Sequence, residues 1–365
     1  MRLGVDARPL MEKKSGIGTY LDAMLSEFLE LSQELELYLI SDGEICFPEH
    51  SRVRKIHYKG FRFLPNTLYF EFLLPRFLRR EGIVLDAFWG TQQFMPLGLP
   101  KGCRRILTVH DLTYRVYPGL MDRKLLFMLR LFGGSSLREA DRIVTVSCYT
   151  RKTLLSYYER ECSGKEIQVI YPSATTHPLS EEQLPEGLSE KKYILFIGIL
   201  EPRKNLDVLI DAFQGLKEGG LKLVVCGKCG WNYEETLRRI EADPDILYPG
   251  FVSNERKQLL LAKSLCLVMP SLYEGFGTPA VEAMKSGATV VAADNSSLSE
   301  VVGIPELLFP TGDAGALREI LRRLLGDPSF RREMEEKSRR RGEDFSWKAA
   351  AEEFLELIGG SHEEA

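Results

Sequence analysis

The sequence of 365 residues predicts an α/β protein made of two tandem doubly wound domains. Short apolar runs alternate with segments whose apolar residues recur at helical spacing, which is typical of a parallel sheet covered by helices. The alternation stops in a polar stretch over residues 173–190 and then starts again. A chain of this length also exceeds one ordinary core, so two domains are expected.

The first half of the chain predicts a sheet of at least five strands. The helix after the first strand is indicated by Leu21, Met24, Leu25 and Phe28, which share one face at helical spacing. The predicted strands cover residues 3–5, 35–40, 105–110, 142–147 and 167–171, and the predicted helices cover 20–31, 122–132 and 149–159.

The second half repeats this pattern. Its predicted strands cover residues 193–197, 222–226, 246–248, 265–269 and 289–292, with helices over 206–216, 233–241 and 254–262 and another that continues through Met284. Near the end, a helix begins at about Ser346 and carries Trp347, Phe354 and Ile358 on one face. We therefore predict a first domain over residues 1–175, a second over 176–344, and a last helix at about 345–358 that packs back on the first domain.

Composition narrows the class of protein. No stretch holds the roughly 18 uninterrupted apolar residues of a membrane span, and the beginning of the chain turns polar too early for a signal peptide. Seven cysteines scattered through a long chain suit reduced thiols. A single CxxC pair without a nearby histidine is a poor zinc site. These features predict a soluble cytoplasmic protein.

The net charge of −4 is unevenly distributed. Residues 52–82 carry eight Lys or Arg against two Glu, interleaved with aromatic and aliphatic side chains. One interpretation is peripheral contact with the anionic inner face of the cytoplasmic membrane, or with a lipid-linked acceptor. The other is a solvated helix face over an ordinary core. The acidic remainder of the chain disfavours a nucleic-acid partner.

The segment from Ser271 to Ala283 carries the strongest chemical signal. It follows a predicted buried strand and opens a helix, because Pro279 suits a first helical turn. Unpaired amides at a helix start attract phosphates, and Gly275 and Gly277 allow close approach to the backbone. Glu274 lies in the loop, whereas Glu282 lies on the helix, where a carboxylate can accept two hydrogen bonds from a ribose. The segment predicts a nucleotide-sugar site, although glycine-rich turns often only connect elements.

Three other loops follow predicted strands, at the edge where doubly wound sheets bind ligands. Gly16 and Gly18 precede the first helix and would place amides near a diphosphate or an acceptor. His110 ends a strand, where it suits a contact with a sugar hydroxyl; a general base and a structural histidine are the alternatives. Arg203 and Lys204 would neutralise a diphosphate.

Further along, Gly227 and Lys228 occupy the equivalent place after the next strand. Pro249 to Val252, including Phe251, would wall a pocket for a base. No DxD run stands at a strand end, so no metal site is expected.

With these residues in view, nearly the whole chain resembles the retaining glycosyltransferases of the GT-B class grouped as family 4. Those enzymes carry two glutamates separated by seven residues, as Glu274 and Glu282 are here. The resemblance implies two Rossmann-like domains with an interdomain cleft. It also implies a hexosyltransferase with Gly16, Gly18 and His110 on the amino-domain side. Many members place an arginine after the glycine equivalent to Gly198, where this chain has Ile199.

A subgroup instead reads Glu-Pro-Arg-Lys-Asn, as this chain does at residues 201–205, and looks like mannosyltransferases of bacterial surface polysaccharide assembly. By that resemblance the backbone of Gly275, Phe276, Gly277 and Thr278 holds the sugar and phosphate of the donor. Glu274 then contacts the transferred sugar and Glu282 the ribose, while Arg203 and Lys204 bind phosphate. GDP-mannose is the expected donor, the acceptor is a glycan or lipid-linked hydroxyl, and no metal or cofactor is required.

Other functions share this architecture. A transferase using a UDP-sugar, a nucleotide-sugar epimerase and a phosphorylase are the enzymatic alternatives. A non-catalytic sugar-nucleotide-binding protein is the remaining one.

Overall fold

The computed structural model describes residues 1–11, 16–58, 70–121, 123–178, 183–216 and 219–359, apart from the side chain of Lys124. The chain divides into two compact units. Unit 1 contains Met1–Pro172 and Ser346–Ala365, and unit 2 contains Ser173–Phe345. The two ends of unit 2 are joined, because the buried Ser173 hydroxyl donates to the carbonyl of Phe345 at 2.9 Å.

Unit 1 is built on a seven-stranded parallel sheet in the order β3-β2-β1-β4-β5-β6-β7. The strands are β1 Arg2–Asp6, β2 Glu36–Ser41, β3 Val53–His57, β4 Ala87–Gly90, β5 Arg104–Val109, β6 Arg142–Thr145 and β7 Glu166–Val169. The helices up to the boundary are α1 Gly16–Leu31, α2 Leu74–Arg80, α3 Thr113–Val116, α4 Arg123–Glu139 and α5 Cys148–Cys162. Strand β4 is buried along its whole length, as expected of a central strand covered on both faces.

Unit 2 has a six-stranded parallel sheet in the order β10-β9-β8-β11-β12-β13. Its strands are β8 Tyr193–Ile197, β9 Lys222–Cys226, β10 Ile246–Gly250, β11 Cys266–Met269, β12 Thr289–Ala293 and β13 Leu308–Phe309. Its helices are α6 Leu206–Gln214, α7 Glu234–Glu241, α8 Asn254–Lys263, α9 Thr278–Lys285, α10 Ser296–Val302, α11 Ala314–Gly326 and α12 Pro328–Glu343.

The last helix, α13 Trp347–Gly359, packs in unit 1 although it follows unit 2 in the chain. The ring of Phe354 lies 4.4 Å from Trp89 of β4 and 5.3 Å from Phe28 of α1, measured between centroids. At its start the amide of Ala349 donates to the Ser346 hydroxyl at 3.3 Å. The apolar face of this helix therefore completes the core between α1 and the sheet.

The predicted fold class, two doubly wound parallel sheets, is confirmed. The sequence prediction missed several elements, among them β3, β4, β13 and α12. Within the described residues no helix is long and apolar enough to cross a bilayer.

The basic segment over residues 52–82 is only partly described, because residues 59–69 lie outside the described ranges. In the remainder, Phe70, Leu74 and Leu78 are buried in the core of unit 1, so these side chains are not a surface feature. Phe72 stays 46% exposed.

Candidate functional site

The candidate site lies where the order of strands in the second sheet reverses. Strand β8 lies between β9 and β11, so the chain continues from β8 to one side of the sheet and from β11 to the other. The loops after β8 and β11 therefore leave the same edge of the sheet and run apart. Open α/β sheets bind their ligands at such a switch point, beyond the carboxyl ends of the strands. The loop after β8 carries Arg203 and Lys204, and the loop after β11 carries Glu274.

These three side chains meet in one ion-pair cluster. The Lys204 Nζ lies 2.6 Å from Oε1 of Glu274, and Nη1 of Arg203 lies 3.0 Å from Oε2. The Ser271 hydroxyl donates to Oε1 at 2.7 Å. The structure therefore brings together three residues predicted as catalytic or donor-binding from separate motifs.

Glu274 remains a carboxylate in this environment. Burial by itself would raise its pKa, but the adjacent Lys204 and Arg203 outweigh burial and lower the pKa to about 2. Since its side chain is only 9% exposed, these charges act with little screening by water. Glu274 is thus fixed as an anion at neutral pH and does not supply a proton.

Arg203 is held on two further sides by partners that sequence analysis did not single out. Its Nη2 lies 2.5 Å from the carboxylate of Glu201, and its Nη1 donates to the carbonyl of Tyr273 at 2.8 Å. Pro202–Lys204 form one 3-10 turn, so Arg203 and Lys204 extend from the same loop. The signal for Glu201 was its place at the start of the Glu-Pro-Arg-Lys-Asn run, directly before the 3-10 turn that carries Arg203 and Lys204.

The loop from Glu274 to Thr278 is anchored from α10. The Glu274 amide donates to the Ser296 hydroxyl at 3.0 Å, and the Ser297 hydroxyl donates to the Glu274 carbonyl at 2.9 Å. Gly277 has φ +98°, a left-handed conformation that favours glycine, and a Cβ there would lie 3.0 Å from Leu298. Helix α9 begins at Thr278 directly after it, with Pro279 in its first turn.

Glu282 lies on α9 and is paired with a lysine that sequence analysis missed. The Lys257 Nζ of α8 lies 2.7 Å from Oε1 of Glu282, and both side chains are mostly buried. This contact orients the carboxylate while Lys257 neutralises its charge. Glu282 thus pairs with Lys257, whereas Glu274 pairs with Arg203 and Lys204, consistent with two different roles for the two glutamates.

Three glycines at the carboxyl ends of adjacent strands form the floor of the site: Gly198 follows β8, Gly227 follows β9 and Gly250 ends β10. The Gly198 amide donates to the carbonyl of Cys226 at 2.9 Å, and the Gly227 amide donates to that of Gly250 at 2.8 Å. A Cβ on Gly227 would fall 1.7 Å from the carbonyl oxygen of Gly198. The absence of a side chain at Gly227 thus lets the loops after β8 and β9 lie against each other.

Beyond this floor, the large apolar side chains that are exposed in the described part of unit 2 all follow β8, β9 or β10. They are Ile199, Trp231 and Phe251, exposed by 48%, 37% and 70%. The Lys228 Nζ lies 4.7 Å from the centre of the Phe251 ring, a cation–π contact between two predicted donor-binding residues. Val252 follows directly and is half-buried. Trp231 was not predicted.

In unit 1, His110 follows β5 and is fixed by the neighbouring strand end. Its Nε2 lies 2.9 Å from the carbonyl of Thr91, so Nε2 carries the hydrogen and Nδ1 keeps a lone pair. The Tyr20 ring lies edge-on at 5.1 Å between centroids. Burial lowers the pKa of His110, although its contact with Thr91 and the charge of Asp111 act in the opposite direction. A neutral imidazole with an accepting Nδ1 is therefore the form at neutral pH.

Gly16 and Gly18 do not precede the first helix as predicted. Helix α1 begins at Gly16, so both glycines belong to its first turn. The reason is that Tyr20, Leu21 and Met24 bury a continuous face, and the helix extends back from them. The loop residues 12–15 lie outside the described residues.

The chain matches two models of known protein families. Residues 14–176 match the model described as Glycosyltransferase Family 4, and residues 181–341 match Glycosyl transferases group 1. The chain belongs to the family 4 glycosyltransferases. As a member of this family it is a sugar-transferring enzyme, so the epimerase and binding-protein alternatives are set aside.

Relatives of this family 4 glycosyltransferase include mannosyltransferases. It is 28% identical over 302 residues to the O-antigen chain mannosyltransferase B of Escherichia coli, covering 75% of this chain and 79% of that protein. It is 27% identical over 254 residues to the serotype-specific mannosyltransferase WbdA of Escherichia coli, covering 63% of this chain but only 30% of WbdA.

Among solved structures, the family 4 chain resembles the sucrose-phosphate synthase from Thermosynechococcus elongatus. The TM-score is 0.74 at 20% identity, and the match covers 98% of both chains. At that identity the likeness concerns the fold alone, and it supports the GT-B class expected from the sequence.

Proposed function

We propose that this glycosyltransferase moves mannose from GDP-mannose to a hydroxyl of a glycan or lipid-linked acceptor, with retention at the anomeric carbon. The observation that carries the proposal is the meeting of Arg203, Lys204 and Glu274 at the switch point of the second sheet. Two cations beside a fixed carboxylate suit a ligand that is anionic at one end and rich in hydroxyls at the other.

Arg203 and Lys204 bind the diphosphate and stabilise the charge that develops on it as the sugar departs. Both side chains are largely buried, at 19% and 12% exposure, so their attraction for phosphate is stronger than on an open surface. The start of α9 at Thr278 adds the positive end of a helix. These groups supply positive charge, and the proposed reaction is metal-independent.

Glu274 accepts hydrogen bonds from the hydroxyls of the transferred sugar. Its low pKa keeps it ionised, which suits an acceptor of hydrogen bonds and excludes a general acid. Its oxygens are already engaged by Lys204, Ser271 and Arg203, so it orients the sugar and does not act as a covalent nucleophile. The leaving phosphate takes the proton of the acceptor hydroxyl.

Glu282 accepts hydrogen bonds from the ribose, and Phe251 with Lys228 contacts the base. Lys257 holds one oxygen of Glu282 and leaves the other for a ribose hydroxyl. In unit 1 the Nδ1 of His110 accepts a hydrogen bond from a sugar hydroxyl. Gly16 and Gly18 lie in the first turn of α1, in the same unit as His110.

The choice of mannose and of a surface polysaccharide as the product rests on the relatives. O-antigen chain mannosyltransferase B aligns over three-quarters of this chain. We place the reaction in the cytoplasm, where nucleotide-sugars serve as donors.

The proposal is tested by thermal-shift measurements with GDP, UDP and ADP, followed by product analysis. A nucleotide at 100 times its dissociation constant stabilises a protein by about 2.7 kcal/mol, which raises the midpoint of a domain of this size by several degrees. GDP is expected to give that shift and UDP and ADP much less. A shift with UDP alone would remove the GDP-mannose assignment. Formation of a β-linked mannoside would contradict retention.

A further inference from the structure

Three consecutive residues that the proposed mechanism does not use hold the backbone of Glu274. They are Asn295, Ser296 and Ser297, where the chain passes from β12 into α10, and we call them the 295–297 clasp. The Glu274 amide donates to the Ser296 hydroxyl at 3.0 Å, and the Ser297 hydroxyl donates to the Glu274 carbonyl at 2.9 Å. Side chains of the clasp therefore bind both backbone groups of this buried glutamate.

Asn295 extends the clasp to Ser271. Its Nδ2 donates to the Ser271 carbonyl at 2.9 Å and to the Thr311 hydroxyl at 2.7 Å, and its Oδ1 accepts from the Ser296 hydroxyl at 2.7 Å. Both hydrogens of this amide group and its oxygen are engaged, so the orientation of the side chain is fixed. Since the Ser271 hydroxyl donates to Oε1 of Glu274 at 2.7 Å, the clasp supports the carboxylate as well as the backbone.

Glu274 is held from both neighbouring strands of the sheet. Strand β11, which its loop follows, lies between β8 and β12. From the β8 side, Arg203 and Lys204 bind the carboxylate. From the β12 side, the 295–297 clasp binds the backbone. The side chain therefore cannot turn without breaking several hydrogen bonds in a buried environment, where unpaired polar groups are costly.

The clasp contains a strained backbone. Ser296 has φ +47°, in the left-handed region that residues other than glycine rarely adopt. Its hydroxyl binds both the Glu274 amide and Asn295, so the network holds the backbone in this conformation. Strain of this kind persists only where the surrounding structure enforces it, and it is concentrated at functional sites. A glycine at this position would relieve the strain but would provide no hydroxyl for Glu274.

We propose that Asn295, Ser296 and Ser297 are positioning residues that fix the angle at which Glu274 meets the transferred hexose, and that they thereby make the enzyme select one hexose epimer over another. Epimers differ in the direction of a single hydroxyl. Because hydrogen bonds weaken steeply with angle, a carboxylate held in one orientation distinguishes these directions, whereas a mobile carboxylate would follow either. The inference rests on the role proposed above for Glu274.

The test measures the release of GDP from GDP-mannose and from GDP-glucose by the full chain, with water as the acceptor. Ser296→Gly and Ser296→Ala both remove the hydroxyl that binds the Glu274 amide. Each is expected to lower kcat for GDP-mannose by about tenfold or more, because small displacements within a site slow the reaction steeply. Each should also lose most of the preference for GDP-mannose over GDP-glucose. The affinity for GDP, measured by calorimetric titration, should change by less than about twofold, since GDP carries no hexose.

Thermal unfolding separates positioning from a general structural role. Ser296→Gly should unfold at a higher temperature than Ser296→Ala, because only glycine relieves the left-handed backbone, yet both variants should have the same low kcat. Ser297→Ala removes the donor to the Glu274 carbonyl and tests the clasp independently. Its matched control is Ser299→Ala, which removes another hydroxyl of α10, one that binds Asp294 at 2.6 Å, and should behave like the parent.

Two results would overturn the inference. One is a kcat that follows stability, with Ser296→Gly close to the parent and only Ser296→Ala slow. The other is an unchanged preference between the two donors in both Ser296 variants and in Ser297→Ala.

Glu274→Gln distinguishes failure of this inference from failure of the proposed function. If Glu274→Gln slows the release of GDP and abolishes the donor preference while the clasp variants match the parent, the inference alone fails. If Glu274→Gln itself matches the parent, the proposed role of Glu274 fails and the inference fails with it.

Discussion

The Nζ of Lys204 lies 2.6 Å from Oε1 of Glu274, although seventy positions of sequence separate the two residues. The pair joins the loops after β8 and β11 across the switch point of the sheet. Arg203 adds a second cation to the same carboxylate. If the donor diphosphate binds Arg203 and Lys204 as proposed, it competes with Glu274 for both cations. The carboxylate then holds the two side chains in place before the donor binds and shares them afterwards.

Lys204→Met is therefore expected to have two separable effects. It should lower stability by about 2 kcal/mol, because Glu274 loses a buried partner, and it should weaken nucleotide binding because a phosphate contact is lost. Adding Glu274→Gln removes the buried charge that Arg203 alone then compensates, so the double variant should regain stability without regaining activity. Thermal unfolding and transfer rates separate these effects. Recovery of activity in the double variant would show that Lys204 serves only to neutralise Glu274.

The ribose assignment predicts that Glu282 discriminates between GDP and 2′-deoxy-GDP. The parent should bind GDP more tightly, and Glu282→Ala should bind the two nucleotides equally, because the variant lacks the acceptor for the 2′-hydroxyl. Lys257→Met should weaken GDP binding more mildly, since it leaves the carboxylate in place without its orienting contact. Calorimetric titration gives these affinities. A Glu282→Ala variant that still prefers GDP would exclude the ribose role.

The contact between the loops after β8 and β9 predicts that Gly227→Ala is severely disruptive. A Cβ there would meet the Gly198 carbonyl oxygen at 1.7 Å, so the backbone must move, at a cost of about 3 kcal/mol or more. Gly250→Ala is the matched control, because Gly250 also has positive φ but nothing lies within 4 Å of its Cβ position. It should cost about 1 kcal/mol for the left-handed backbone alone. Similar losses in urea unfolding would contradict the steric argument.

The sequence was sufficient for the fold class because parallel sheets bury their strands on both faces, which leaves uninterrupted apolar runs such as β9 and β12. It was insufficient where that signal is weak. Strand β4 has only four residues. Helix α12 is dominated by charge, and its buried stripe of Phe330, Met334, Ser338 and Gly342 includes two residues that are not apolar. Such a helix is defined by its neighbours, which a single sequence does not reveal.

The candidate site, like the fold, could be predicted only in part from the sequence. Glycines and charges at strand ends predicted Arg203, Lys204, Gly227 and Glu274 because all parallel strands present their carboxyl ends at one edge. Which charges pair across that edge depends on the strand order, which periodicity does not supply. Lys257 was missed for this reason, since it lies inside a helix with no local sign of its contact with Glu282.

The protonation of His110 predicts the pH of the acid limb, where kcat/KM falls as the pH is lowered. Burial lowers the pKa of its imidazole below 6.5 and outweighs the opposing effects of Thr91 and Asp111. Protonation would occupy Nδ1 and remove its ability to accept a hydrogen bond. The acid limb that His110 causes in kcat/KM should thus lie below pH 6.5. His110→Ala should abolish that limb. His110→Asn should retain part of the activity. An unchanged acid limb in His110→Ala would assign it to another group.

The buried carboxyl of Glu71 predicts that the free energy of unfolding falls as the pH rises. Its carboxyl is buried in unit 1, with Oε1 3.4 Å from the Ser136 hydroxyl. Within the described residues, Oε2 has no hydrogen-bond partner. Burial raises its pKa to about 8, while the nearby Arg8 opposes the shift. Below the ordinary value of 4.5 the folded and unfolded states are both protonated, so this contribution is fully present. Between that pH and about 8 only the unfolded state loses the proton, and stability declines by about 1.4 kcal/mol for each pH unit.

Glu71→Gln should remove this decline, because glutamine stays neutral at every pH. We expect the variant to match the parent near pH 5 and to exceed its stability by roughly 2–4 kcal/mol near pH 8. Glu81→Gln is the matched control, since Glu81 belongs to the same segment but is exposed and paired with Arg80. Its difference from the parent should stay nearly constant over the same range. Urea unfolding at several pH values provides the measurement, and a constant difference for Glu71→Gln as well would mean that Glu71 is ionised in the folded protein.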